Sequence, residues 1–144
     1  MGSVACIDSS ALLKLIARED ETSALEADLA QRDGLVASRL AELECRRAAR
    51  RTSNRRLLQA VTQVLEAIYL LEITPAILDR AAGLDPALMR SLDAIHLATA
   101  LSVDDPDLEL ITYDARMADA ALACGLRVAQ PGRAPTPGPA GCSS

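Results

Sequence analysis

Short apolar runs alternate with longer stretches of helical periodicity along this chain. Residues 4–7 are apolar at every position, which predicts a buried strand. Similar runs predict further strands at residues 35–37, 69–73, 108–112 and 126–129. Because helical stretches separate these runs, the pattern predicts an α/β fold: one domain with a small parallel β-sheet flanked by helices.

Apolar residues spaced three and four apart mark the helices between these runs. They predict helices at residues 11–17, 22–31, 39–51, 57–68, 76–82, 91–103 and 116–124, with Pro75 at the first position of the fifth. The stretch from Ser91 is apolar or small on nearly every side, so we expect a buried helix with Ser91 as its N-cap. It nevertheless carries an acid, Asp93, in its first turn.

Arginines concentrate where the third and fourth predicted helices meet. These two helices are expected to form a hairpin with the arginines near its open end: Arg46, Arg47, Arg50, Arg51, Arg55 and Arg56. The chain has a net charge of −5, which argues against a general nucleic-acid-coating protein. The block is therefore either a solvated helix face or a local surface for RNA phosphates or a protein partner.

Composition sets the remaining bounds. The chain has 144 residues, half of them hydrophobic, with no Phe or Trp, so we expect one domain over residues 1–130 with an aliphatic core. Residues 131–144 are rich in Pro, Gly and Ser and are expected to be a disordered tail. With neither a membrane-length apolar run nor a leader, we expect a cytoplasmic protein that does not enter membranes. The scattered cysteines are expected to be ordinary reduced thiols: Cys6, Cys45, Cys124 and Cys142.

Acidic residues follow the predicted strands at the ends where ligands usually bind. Asp8 and Asp114 each stand where a strand passes into a helix, although an acid at such a position also serves as a plain N-cap. Asp93 can face the same edge of the sheet from its helix. Glu42 and Glu44 are two residues apart, so at most one of them can join the same site.

Several carboxylates in one cleft need a cation, and oxygen ligands suit Mg²⁺ or Mn²⁺ better than zinc. Such a site hydrolyses phosphodiesters by clamping the phosphate and activating water. Other mechanisms lack parts, because the chain has no G-x-S-x-G motif, no Gly-rich phosphate loop and a single histidine, His96. We interpret His96 as a packed or capping residue near the rim of the site.

Four segments resemble the PIN-domain family, and within it the VapC toxins of type II toxin–antitoxin systems. Together the resemblance spans residues 4–130. The segments are Ile7-Asp8-Ser9-Ser10-Ala11-Leu12, Glu44-Cys45-Arg46-Arg47-Ala48, Ser91-Leu92-Asp93-Ala94-Ile95-His96-Leu97-Ala98 and Leu110-Ile111-Thr112-Tyr113-Asp114. Any one of them is weak, but four in this order and spacing are a strong signal.

The resemblance implies a Mg²⁺-dependent endoribonuclease, with Mn²⁺ as a possible substitute, that a VapB-type antitoxin holds inactive. It implies a catalytic and metal-binding tetrad, with Asp8 and Asp93 as direct ligands: Asp8, Glu44, Asp93 and Asp114. Ala48, four positions after Glu44, favours Glu44 over Glu42. Ser9 and Thr112 are expected to hydrogen-bond these acids. The resemblance also implies a homodimer and makes the arginine block a candidate RNA or antitoxin surface: Arg46, Arg47 and Arg50.

Two alternatives remain open at this point. A PIN-like fold can serve as a non-catalytic protein-binding module, although no acid of the tetrad is missing here. A nuclease that acts on DNA would carry the same site, because substrate choice depends on loops and surface charge rather than on the acids.

Overall fold

Five parallel strands form the sheet at the centre of the protein. The computed structural model describes residues 3–134. The strands are β1 (Val4–Ile7), β2 (Gly34–Ser38), β3 (Tyr69–Leu71), β4 (Glu109–Ile111) and β5 (Arg127–Ala129), in the spatial order β3-β2-β1-β4-β5. All four neighbouring pairs are parallel, which confirms the predicted α/β fold with a small parallel sheet flanked by helices.

Within residues 3–134, seven helices connect and cover the strands. They are α1 (Ser9–Ile16), α2 (Thr22–Leu29), α3 (Arg39–Thr52), α4 (Arg55–Glu66), α5 (Pro75–Ala82), α6 (Ser91–Ser102) and α7 (Ala115–Ala123). The expected cap of α6 is wrong: Ser91 is its first helical residue, and the N-cap is Arg90, whose extended backbone ends the preceding turn without a side-chain cap. Strand β3 also ends two residues earlier than expected.

The register of the three middle strands brings distant parts of the chain to one edge. Cys6 of β1 pairs with Val36 of β2 on one side and with Leu110 of β4 on the other. One step further, Ile7 pairs with Ile111, and the backbone N–H of Asp8 donates to the carbonyl of Ile111 at 3.2 Å. The residues that follow β1 and β4 therefore lie side by side at the carboxyl edge of the sheet.

The core of the described residues consists of two largely aliphatic clusters. Alternate residues of β1 point to opposite faces of the sheet, so Ala5 and Ile7 belong to one cluster and Cys6 to the other. Helices α1, α3 and α4 supply the first cluster, and α6 and α7 supply the second. As predicted, α6 is largely buried, with Leu97 fully inaccessible to solvent.

The chain stays packed for a few residues beyond β5. The hydroxyl of Tyr113 donates to the carbonyl of Pro131 at 2.6 Å, and Arg133 donates to the carbonyl of Tyr113 at 2.9 Å. The side chains of Lys14 and Arg133 both lie against the Tyr113 ring. The domain boundary at residue 130 stays a prediction, and most of the predicted tail, residues 135–144, lies outside the described residues.

The arginine block lies at the opposite end of the helical hairpin from the one expected. Helix α3 ends at Thr52 and α4 begins at Arg55, so the block surrounds the turn that joins the two helices rather than their open end. Ser53 forms this turn with a left-handed backbone, φ 53°.

Two further expectations concern the cysteines and membranes. Cys6, Cys45 and Cys124 are free thiols, as expected, and Cys142 lies outside the described residues. Within residues 3–134 no helix combines the length and the apolar character that crossing a bilayer requires.

Truncating the buried face of α6 will destabilise the protein far more than truncating its exposed face. We expect Leu97→Ala to lower the free energy of unfolding by about 2–5 kcal/mol, because it leaves a cavity in the second cluster. Leu92→Ala, on the same helix but half exposed, should cost less than about 0.5 kcal/mol. Urea unfolding followed by circular dichroism measures both, and equal losses would contradict the assignment of Leu97 to the core.

Candidate active site

One cavity at the carboxyl edge of the sheet is lined by all four predicted acids. It has a volume of about 330 Å³. Asp8 follows β1, Glu44 lies on α3, Asp93 lies in the first turn of α6, and Asp114 lies three residues after the end of β4. Residues 106 positions apart in the sequence therefore meet in one cleft, as the strand order requires.

Asp8 is the most enclosed of the four acids, with 3% of its surface exposed. Its Oδ1 accepts hydrogen bonds from the Ser10 hydroxyl at 2.6 Å and from the Ala11 backbone N–H at 3.1 Å, and its Oδ2 accepts one from the Thr112 hydroxyl. Burial raises the pKa of Asp8 above its ordinary value, and these hydrogen bonds offset part of the shift. Asp8 thus caps α1 and lines the cavity at the same time.

Glu44 is the glutamate that faces the cavity. Its Oε1 accepts hydrogen bonds from His96 Nε2 at 2.6 Å and from the Ser9 hydroxyl at 3.2 Å. Burial acts to raise the pKa of Glu44, but the hydrogen bond and charge of His96 outweigh it and, with Ser9, lower the pKa. Glu42 instead forms ion pairs with Arg39 and Arg46 outside the cavity. Of the two glutamates, Glu44 is therefore the one that lines the cavity.

The negative charge of Asp114 acts on the carboxyl group of Asp93. Burial and then the negative charge of Asp114 raise the pKa of Asp93, and Glu44 adds to the shift. Arg90, which also lines the cavity, acts in the opposite direction. Asp114 is held as the N-cap of α7, where its Oδ1 accepts from the backbone N–H groups of Arg116 at 2.9 Å and Met117 at 3.2 Å. The site thus concentrates negative charge.

The two predicted supporting hydroxyls both contact the acids, and the structure adds Ser10, which the sequence did not single out, and a contact of His96 that the sequence did not predict. Ser10 links both strand ends, because it donates to Asp8 and accepts from the backbone N–H of Tyr113 at 2.9 Å. His96 is buried, as expected, but it binds Glu44 rather than merely packing. Its spacing of three from Asp93 places both on one face of α6, which is the signal that pointed to it.

The predicted arginine contacts lie outside the acidic cavity. Arg46, Arg47 and Arg50 line a second groove, of about 540 Å³, between α3 and α4. Its floor includes the side chains of Leu58 and Val61. Arg46 also forms an ion pair with Glu42, with 3.4 Å between Nη2 and Oε2. The structure thus separates a basic groove from the acids, although both are built on α3.

The donor set of the cavity fits an oxygen-binding divalent cation. Its acids are all carboxylates, and the repulsion that raises the pKa of Asp93 is what a cation would relieve. In the described part of the chain, however, no three Asp, Glu, His or Cys side chains stand close enough together to form a ready-made metal cage. The acids line a shared space without closing around one point.

Comparison with known proteins shows which family this chain resembles in sequence and in fold. The PIN-domain family matches residues 5–122. The chain is 42% identical over 125 residues to ribonuclease VapC46 of Mycobacterium tuberculosis, covering 87% of this chain and 95% of that relative. It is also 42% identical over 132 residues to ribonuclease VapC35 of the same species, covering 89% and 97%. Among solved structures, a toxin–antitoxin complex from Klebsiella pneumoniae shares the fold, with a TM-score of 0.68 and 23% identity over 88% of this chain and 97% of that one.

These matches span most of the chain and most of each relative. The chain belongs to the PIN-domain family. Within that family it is a VapC ribonuclease homologue, as the resemblance of its four acidic segments indicated.

Removing the charge of Asp93 will stabilise the metal-free protein. An acid whose folded-state pKa is raised destabilises the fold when ionised. The penalty is absent at low pH, grows as the pH rises from the ordinary pKa of 3.8, and is complete above the folded-state pKa. Asp93→Asn should therefore raise the free energy of unfolding at pH 7 by less than about 1 kcal/mol, because solvent screens this partly exposed group.

Thermal unfolding in EDTA at pH 7 and at pH 3.5 measures this effect, and the gain should shrink at the lower pH. Asp104→Asn, in an exposed acidic turn, is the matched control and should change little. Destabilisation of Asp93→Asn at pH 7 would show that the ionised carboxylate is needed for folding and would contradict the electrostatic account.

Proposed function

We propose that this protein is a metal-dependent endoribonuclease that hydrolyses RNA phosphodiester bonds at the four-acid cavity, and that it is the toxin of a toxin–antitoxin pair. The observation that carries the proposal is the meeting of Asp8, Glu44, Asp93 and Asp114 in one cleft. Its support from outside the site is the 42% identity to two ribonucleases over nearly their full length.

We assign the metal site to the same acids. Asp8 and Asp93 are the direct ligands of Mg²⁺ or Mn²⁺, and Glu44 and Asp114 complete the site. When bound, such a cation offsets the clustered negative charge, polarises the scissile phosphate and lowers the pKa of the attacking water.

The protein's own contribution is to hold these oxygen atoms in place. Asp8 cannot swing away, because both of its carboxylate oxygens accept hydrogen bonds and its backbone is tied to β4. Oδ2 accepts only the Thr112 hydroxyl, so it keeps a lone pair with which it can bind a ligand. Asp114 is fixed by two backbone N–H groups through Oδ1. Rotamers held in this way before substrate arrives lower the cost of ordering the site during the reaction.

RNA and an antitoxin are the proposed partners. The arginine groove supplies the phosphate-binding charge that the acidic cavity lacks, and we propose that Arg46, Arg47 and Arg50 contact the RNA backbone there. The Klebsiella relative in fold was solved as a toxin–antitoxin complex, which supports a cognate VapB-type antitoxin for this chain. Pairing as a homodimer and action in the cytoplasm remain part of the same proposal.

Cleavage of RNA will depend on divalent metal and on the acids. Purified protein, freed of antitoxin, should cut cellular RNA at discrete positions in Mg²⁺ or Mn²⁺, and EDTA should abolish the cutting. Asp93→Asn should lower the cleavage rate by at least about 100-fold, because it removes a charged ligand of the cation. Gel analysis of the RNA products measures both.

The exposed-turn variant Asp104→Asn is the control and should cut at the rate of the wild type. Intact RNA with folded wild-type protein in both metals would contradict the proposal. Cutting of single-stranded or duplex DNA under those conditions would instead support a DNA nuclease, and inertness toward both nucleic acids would support a non-catalytic binding module.

Neutralising two arginines of the groove will weaken RNA binding without altering the acids. In an inactive Asp93→Asn background, Arg47→Gln with Arg50→Gln should raise the Kd for RNA. The slope of log Kd against log salt should fall by up to about 1.4, because about 0.7 is lost for each phosphate contact to single-stranded RNA. Filter binding at several salt concentrations measures the slope.

Arg127→Gln, an exposed arginine on β5, is the matched control and should leave the slope unchanged. An unchanged slope in the double variant would contradict the RNA assignment. Loss of antitoxin binding together with an unchanged slope would assign the groove to the antitoxin.

A further inference from the structure

His96 is the least expected contact in the cavity. Its side chain is 5% exposed, and it lies on a helix whose other buried residues are small or aliphatic. Nε2 is 2.6 Å from Oε1 of Glu44, across 52 residues of sequence. A buried polar group needs a hydrogen-bond partner, and Nε2 of His96 has Glu44.

The direction of this hydrogen bond follows from the chemistry of the pair. Oε1 belongs to a carboxylate, which accepts hydrogen bonds, and it also accepts one from the hydroxyl of Ser9. Nε2 must then carry the hydrogen and donate it. Such a bond to a charged acceptor is stronger and more directional than one between neutral groups.

The bond also determines which oxygen of Glu44 remains available. His96 and Ser9 both donate to Oε1, from α6 and α1 respectively. Glu44 lies on α3, so its carboxylate is held by donors from two other elements. With Oε1 engaged twice, Oε2 is the oxygen left to face a ligand in the cavity.

We infer that His96 is a positioning residue that holds Glu44 by Oε1 and thereby orients Oε2 toward the metal site. This inference rests on the metal site of the proposed function. The role differs from that of the four acids, because His96 acts through Glu44 and not on the metal or the RNA. It resembles the outer hydrogen bonds that orient ligands in metal sites, whose removal costs about 10- to 100-fold in metal affinity or activity.

The first experiment measures Mn²⁺ binding to the full chain by calorimetry, without RNA. His96→Leu fills a similar volume but cannot donate, so its Kd for Mn²⁺ should rise about 10- to 100-fold. His96→Gln keeps an N–H donor and should recover part of the affinity. Thr99→Val, which removes a buried hydroxyl one turn along α6 that bonds only to the Ile95 carbonyl, should bind like the wild type.

The pairing with Glu44 is tested by combining variants. In a Glu44→Gln background, His96→Leu should cost little further affinity, because the residue it acts through has already changed. An unchanged Kd for His96→Leu, or the same loss with and without Glu44→Gln, would overturn the inference.

A second measurement requires no substitution at position 96. His96 is the only histidine of the chain, so its ring nitrogens give a single set of ¹⁵N resonances. Addition of Mg²⁺ should shift them in the wild type and leave them in place in Glu44→Gln. Absence of a shift in the wild type would overturn the inference.

The two proposals fail in distinguishable ways. Intact RNA together with Mn²⁺ binding that depends on His96 would overturn the proposed function and retain the positioning role. Normal RNA cleavage together with Mn²⁺ binding that ignores His96 would overturn the positioning role alone.

Discussion

The burial of Asp8 at the end of the central strand is the constraint on which the rest of the site depends. A carboxylate that is 3% exposed is expensive to ionise unless donors surround it. The protein supplies them from the first turn of α1 and from the end of β4, through Ser10, Ala11 and Thr112. The same contacts connect the two strand ends, so the fold and the geometry of the site are stabilised by one set of interactions.

Charge is distributed unevenly around this point. The acids meet at the carboxyl edge of the sheet, where Asp93 and Asp114 repel each other, while the arginines gather about the turn between α3 and α4. Under the proposed function, an acidic cavity and a basic groove, both with residues on α3, would keep cation binding and RNA binding apart. The cavity suits a cation, and the groove suits a polyanion such as RNA. In a single mixed patch, opposite charges would neutralise one another.

Local pattern was enough to locate most of the elements, because buried strands and amphipathic helices differ in period. Local pattern did not predict features that depend on contacts with other parts of the chain. The extended backbone of Arg90 makes it the N-cap, so α6 already begins at Ser91, and the placement of the arginines depended on how two helices meet. The burial of His96 was expected from its apolar neighbours, but its bond to Glu44 was not, because no local signal joins residues 52 positions apart.

The sequence by itself determined the class of fold, the acids that follow the strands and the family to which the chain belongs. Each of these depends on residue type and spacing within a short segment, which propensity and periodicity report directly. Only the tertiary structure decided the contacts between distant residues. Ser9 and His96 hydrogen-bond to Glu44, and Ser10 connects the ends of two strands. Those facts depend on strand order and helix packing, which bring together side chains whose separation in sequence carries no information about their distance in space.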